Sequence, residues 1–419
     1  MQDLQPKSII ANAGGFRLFE NPRAARTAAY AADGRADILS LASFAEAKHE
    51  ITAWPGYQPT PLHHLKKLAA AAGVADIAYK DEGARFGIGS FKALGGAYAV
   101  FKLLRQAVEQ QTGVAVSSRD LASGRYADIT RRLTVTCATD GNHGRSVAWG
   151  AQTFGCRCVI YVAEVVSEGR CNAIARFGAE VRRAAGTYDD AVRRAAADAV
   201  ANGWLVVSDT SYEGYTDIPR DVMQGYSLMA EEALAQSAVP THVFVQGGIG
   251  GLAAAICSYF WERFGPDRPR FIIVEPDQAD CFYRSGVAGK PTVVTGALDT
   301  IMGGLACGEV SILAWQILKA GTDAFMTIGD ESAADCMRLL AEGRCGDAPV
   351  VSGESGVAGL AGFLVASADA DARKRLSLNS GSRILAFGTE GATDPELYRR
   401  IVGRGAEEVV AARSLHAHR

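Results

Sequence analysis

From residue 133 onward the chain alternates short β-branched runs, glycine-marked turns and helical stretches. That alternation restricts the fold more than any other feature. LTVTCA (133–138), CVIYVA (158–163), AEVRRA (179–184) and WLVVS (204–208) read as strands, and residues 145–154, 167–177 and 188–201 between them read as helices. The pattern resumes with THVFVQ (241–246), RFIIVEP (270–276) and RILAFGTEG (383–391), with helices expected over 217–235, 252–264 and 331–342. Strands separated by helices need crossover connections, so the prediction is an α/β protein with two parallel-sheet domains. A chain of 419 residues is long enough to give each domain its own core. Before this pattern, residues 1–60 read as an irregular arm and Thr60-Pro61-Leu62 as the start of a helical run to Ala72. Residues 112–131 read as a polar surface loop.

Charge narrows the partners. With 43 Lys and Arg against 46 Asp and Glu, the net charge is near −3, and no basic stripe points to nucleic acid or a membrane surface. No apolar run is long enough to span a bilayer, and the opening MQDLQPKSIIANAGG lacks the layout of a signal peptide, so a cytoplasmic protein is expected. The nine cysteines are scattered with no C-x-x-C pair, so no metal site is expected.

Within residues 79–99, YKDEGARFGIGSFKALGGAYA, a strand at 76–80 leads through a turn-rich loop to a helix predicted over 90–104. Ser90 reads as its N-cap, and Lys92 falls in its first turn. A cation there opposes the helix dipole, and an environment that disfavours the charged form is what makes a lysine nucleophilic. Phe91 and the pair Gly95-Gly96 suggest close packing around Lys92 instead of a solvated face.

Three turns follow strands, where parallel sheets place ligands. QGGIGGL puts Gly247, Gly248, Ile249, Gly250 and Gly251 between a strand and a helix, an anion cradle suited to phosphate. Two readings stay open: a dinucleotide fingerprint, with Ala253 in its third glycine position and Glu275 available to a ribose, or a single-phosphate cup for pyridoxal phosphate. TDGNHG (139–144) offers Asn142 to a ring oxygen or carboxylate and loop N–H groups to a carboxylate, while His143 reads as a structural histidine. DTSYEGY (209–215) offers a carboxylate, Asp209, which on its own reads as solvated.

Taken together these motifs resemble the fold-type II pyridoxal phosphate enzymes, the tryptophan synthase β-like superfamily, and within it most of all the diaminopropionate ammonia-lyases. The matching stretches are PGYQPTPL (55–62), KDEGARFGIGSFKALGG (80–96), ATDGNHGRSVAW (138–149), SDTSYEGYTDIPRDVMQGY (208–226), the glycine cup, ADCFYRSG (279–286), IMGGLACGE (301–309), SGESGVAGL (352–360) and FGTEGATDPELY (387–398). They run through most of the chain in the family's order.

The resemblance implies pyridoxal 5′-phosphate as cofactor, held covalently by Lys92, with Phe91, Asn142, the cup Gly247 to Gly251 and Thr389 around it. Thr389 resembles the hydroxyl partner of the pyridine nitrogen. Asp140 and Asp209 resemble two aspartates of substrate recognition and proton transfer, and Thr139, Asp140, Gly141, His143 and Asp209 would contact an amino-acid substrate. Dehydratases of serine and threonine usually carry a serine at the position of Asp140, and an acid there suits an extra ammonium group. The implied reaction is elimination from 2,3-diaminopropionate to pyruvate and two ammonia. The alternative is a dehydratase of serine, threonine or 3-hydroxyaspartate. Cys281 and Cys307 resemble a pair that can be disulfide-linked, and a homodimer is the family's expected assembly. The implied division is a large domain over 1–96 and 213–419 and a smaller inserted one over 97–212. The chain departs from the family at Ile88-Gly89-Ser90, where Leu-Asn-Ala is common, and in a longer insert before Arg132.

Overall fold

The computed structural model describes residues 15–139 and 141–416. Two sheets organise it. The larger has seven strands in the order β1-β10-β9-β8-β11-β3-β2, and the smaller four in the order β6-β5-β4-β7. These strands are β1 (Arg17–Glu20), β2 (Leu62–His64), β3 (Asp76–Asp81), β4 (Thr134–Ala138), β5 (Arg157–Ala163), β6 (Glu180–Ala184), β7 (Leu205–Val206), β8 (His242–Gln246), β9 (Arg270–Pro276), β10 (Ala324–Ile328) and β11 (Arg383–Gly388). The small sheet is parallel throughout. The large one is parallel except for its two edge strands, β1 on β10 and β2 on β3. The smaller sheet holds the four predicted strands, and the larger holds the predicted β3, β8, β9 and β11 together with β1, β2 and β10, which the sequence pattern did not show.

The chain divides into two compact units. One comprises the residues up to Asp37, Thr60–Ala84 and those from Met229 onward; the other comprises Ile38–Pro59 and Arg85–Leu228. The expected boundaries at 96 and 212 differ from these: the smaller unit also takes in Ile38–Pro59, residues 85–96 and residues 213–228. Added Cβ atoms on Gly95 and Gly96 would lie 2.5 Å from the Tyr226 ring and 2.0 Å from Ser146 Oγ, so the glycine pair is what lets the helix after Lys92 lie this close. The larger unit's core joins Phe244, Ile272, Val274 and Met326 of the sheet to Leu360 and Phe363 of the helix Ala358–Ala368. The smaller unit's sheet packs Val159 and Tyr161 against Ala191 and Ala195.

Four local expectations give way. The lysine helix spans Ala93–Thr112, so Ser90 lies before it with a buried hydroxyl and Lys92 itself occupies the N-cap position. The helical run expected from Thr60 splits: Leu62–His64 pairs with Lys80, Tyr79 and Ala78, and the helix starts only at Lys66. Sheet pairing there outweighs local propensity. The presumed arm contains a helix, Leu41–Ile51, capped by Ser40. The polar stretch after Thr112 contains short helices at Ser118–Ala122 and Ala127–Thr130, the first started by a Ser117–Asp120 capping box.

Candidate active site

In the smaller unit, Lys92 Nζ lies 2.6 Å from Asp209 Oδ2, with the side chains 21% and 16% exposed. The ammonium also sits 5.4 Å from the centre of the Phe91 ring and 5.9 Å from that of Tyr226, two rings that pack at 4.6 Å. Among the described residues the amine thus meets the Asp209 carboxylate and two aromatic faces. Burial pushes the Tyr226 phenol well up, so it stays neutral.

Asp209 follows β7 on a loop fastened by Tyr215. The Tyr215 hydroxyl donates to Val206 O at 2.9 Å and accepts from Ser208 N at 2.9 Å. Its ring stacks on Tyr212 at 5.1 Å. Burial alone would raise the Asp209 pKa; the facing His143 and the Lys92 ammonium outweigh it and hold the carboxyl below the ordinary carboxylate range. His143 Nε2 donates to Val207 O at 2.7 Å, which sets the tautomer, and Nδ1 then faces Asp209 Oδ2 at 3.6 Å. Burial lowers the His143 pKa, against the opposing pull of the Asp209 carboxylate.

The loop after β4 leads into the helix Asn142–Phe154. Thr139 Oγ accepts from Gly141 N at 3.0 Å and Gly144 N at 3.1 Å, so its hydroxyl oxygen shapes the turn. Asn142 stands at the first position of the helix, where backbone N–H groups have no intrahelical acceptor. Asp140 lies outside the described residues.

In the larger unit, β8 ends at Gln246 and the glycine cup leads into the helix Gly251–Phe264. Gly250 has φ +95°, and a Cβ on it would lie 2.3 Å from Phe282 Cζ. The helix start carries no side-chain cap, which leaves its N–H groups for an anion. Glu275, expected at a ribose under the dinucleotide reading, is 0% exposed and accepts from Phe282 N at 3.0 Å and Tyr283 N at 2.8 Å. A carboxyl group so enclosed is not presented to a sugar, which removes its support for the dinucleotide reading. Beside β8, β11 ends at Gly388, and the next residue, Thr389, has its hydroxyl oxygen 3.1 Å from Gln246 Nε2. Cys281 and Cys307 are not joined by a disulfide, and Cys281 Sγ lies 3.5 Å from both Gly248 O and Glu275 Oε1.

Residues 53–389 match the family model for pyridoxal-phosphate dependent enzymes. Diaminopropionate ammonia-lyase of Escherichia coli K12 is 42% identical over 378 residues, covering 88% of this chain and 93% of that protein. The chain belongs to the diaminopropionate ammonia-lyase family of pyridoxal-phosphate dependent enzymes. The same lyase of Salmonella typhimurium is 40% identical over 376 residues, 85% of this chain and 92% of the relative. The crystal structure of the Escherichia coli lyase in complex with D-serine superposes with a TM-score of 0.84 at 37% identity, covering 94% of this chain and 98% of that one.

The residues of this family member fit its cofactor. An amine bounded by a carboxylate, an uncapped helix start wrapped in glycine and a buried hydroxyl suit an aldehyde, a phosphate and a ring nitrogen. Three contributors escaped the sequence reading: Tyr226, Tyr215 and Gln246. Both tyrosines lie inside stretches quoted for the resemblance, but nothing in their local spacing distinguishes them from core or surface aromatics.

Proposed function

We propose that the chain catalyses α,β-elimination from 2,3-diaminopropionate, releasing pyruvate and two ammonia. The observation that carries the proposal is the contact of Lys92 Nζ with Asp209 Oδ2 at 2.6 Å. It supports a carboxylate able to hold an ammonium beside the reactive amine. When bound, pyridoxal phosphate supplies the electron sink that makes the substrate's Cα proton removable.

Lys92 anchors the cofactor, Gly247 to Gly251 take its phosphate, Asn142 takes its ring oxygen, Phe91 packs beside it and Thr389 donates to its pyridine nitrogen. The substrate carboxylate binds the N–H groups of the loop that starts at Thr139 and runs through Gly141 and His143. Lys92 removes the Cα proton of an L-substrate, and Asp140 that of a D-substrate. Asp209, ionised at neutral pH, holds the β-ammonium so that nitrogen departs as ammonia instead of amide anion. The enzyme works as a cytoplasmic homodimer, for which sedimentation would give a mass near twice the chain's 44.2 kDa.

One observation favours a second reading. The Escherichia coli relative has been crystallised with D-serine, so a hydroxy amino acid fits a site of this family. Comparison of kcat/KM for L- and D-2,3-diaminopropionate with that for serine, threonine and 3-hydroxyaspartate tests the proposal. Diaminopropionate is expected to lead, and Asp209→Asn to lower its kcat/KM by about 10²-fold or more, with a smaller loss on serine. A lead for a hydroxy amino acid would move the reading to a dehydratase.

A further inference from the structure

Gln246 occupies the last position of β8, is 1% exposed, and extends toward the end of β11. Its Nε2 lies 2.7 Å from Phe387 O, 2.9 Å from Gly356 O and 3.1 Å from Thr389 Oγ. An amide nitrogen carries two hydrogens and accepts none. The two carbonyls have no hydrogen to give, so both must accept from Nε2. Turning the amide over would press Oε1 against two carbonyl oxygens. The orientation of Gln246 is therefore fixed by its surroundings.

That orientation constrains Thr389. Its hydroxyl cannot donate to Nε2, only share one of its hydrogens as an acceptor. The hydroxyl's own hydrogen must point away from Gln246. We infer that Gln246 is a positioning residue, which keeps the Thr389 hydroxyl a donor toward the pyridine nitrogen of the cofactor and so keeps that nitrogen unprotonated. The inference rests on the proposed role of Thr389. A nitrogen whose lone pair accepts from a hydroxyl carries no proton of its own. The ring then withdraws electrons less strongly, which favours loss of the β-group over reprotonation and transamination.

The test uses holoenzyme and reads the absorption band of the resident cofactor, which moves with the state of the ring nitrogen. It also reads the fraction of turnovers that end in transamination. Gln246→Met and Thr389→Val are each expected to shift the band in the same direction and to raise that fraction about threefold to tenfold, the range of one hydrogen bond. The double variant is expected to match the singles, because both act through one hydroxyl. Gln246→Met in a Thr389→Ser background, which keeps the hydroxyl, is expected to regain its effect. If Gln246→Met fails to fold, Gln246→Asn, which keeps the amide but draws it back from Thr389, is expected to reproduce the Thr389→Val band. A shift in Thr389→Val with an unchanged band in the folded Gln246 variant, or effects that multiply in the double variant, would overturn the inference alone. An unchanged band in both single variants would remove Thr389 as the nitrogen's partner and the inference with it. Wild-type protein that binds no pyridoxal phosphate would instead defeat the functional reading.

Discussion

Lys92 has its amine against the Asp209 carboxylate and the faces of Phe91 and Tyr226, an environment that holds a cation in place yet leaves it little water. Lys92→Ala is expected to lower kcat by about 10²- to 10⁴-fold and to leave no cofactor that borohydride can trap on the protein. A trapped chromophore on that variant would move the anchor elsewhere. Asp209 belongs to the same group, and its pH behaviour follows from sign. Its carboxyl is held below the ordinary carboxylate range, so it is already ionised at pH 5 and stays so as pH rises. The kcat/KM profile is therefore expected to show no limb from Asp209 between pH 5 and 9, and a limb that vanishes in Asp209→Asn within that window would contradict the assignment. Lys92 could be picked out in the sequence because its neighbours, Phe91 and Gly95-Gly96, are its packing environment. The partners of Asp209 could not: the lysine lies 117 positions away, and the orienting contact of His143 with Val207 spans 64. Gln246 looks like any polar residue closing a strand until β11 lies beside it.

At the scale of elements, the glycine cup joins a buried strand to a helix whose start is left uncapped. Gly250 is the position with least freedom there, having positive φ and the Phe282 ring against it. Gly250→Ala is expected to destabilise the protein by about 1–3 kcal/mol and to weaken cofactor binding, as read by thermal unfolding and by cofactor fluorescence titration. An unchanged cofactor affinity would mean that the cup is only a turn. Elements whose periodicity suffices for burial, such as β4, β5, β8 and β9, were legible in the sequence. Those that depend on a distant neighbour were not. Leu62–His64 is a strand only because β3 offers an edge, and Arg17–Glu20 only because β10 does. The late start of the lysine helix has the same origin, since tertiary packing instead of a cap decides where Ala93–Thr112 begins.

For the whole molecule, Glu275 couples the large unit's stability to pH. Burial, against two backbone hydrogen bonds, pushes its carboxyl up to about 8 from an ordinary value near 4.5. The folded state therefore prefers the protonated acid. The unfolded chain releases that proton first, so this contribution to stability is full below pH 4.5, declines as pH rises, and is lost above about 8. Thermal unfolding between pH 5 and 8.5 is expected to show this decline in the wild type and a flatter dependence in Glu275→Gln. An equal slope in both would place the titration elsewhere. The two parallel sheets were readable as a class from alternation alone, whereas the full division of the chain was not, because Ile38–Pro59 and residues 213–228 join the smaller unit through partners far off in sequence, such as Ser118 N on Glu50 and Tyr226 against Gly95. The reaction itself is tested most directly by product stoichiometry. Incubated with 2,3-diaminopropionate, the purified holoenzyme is expected to release two ammonia for each pyruvate; one ammonia per keto acid, formed only from a hydroxy amino acid, would contradict the account.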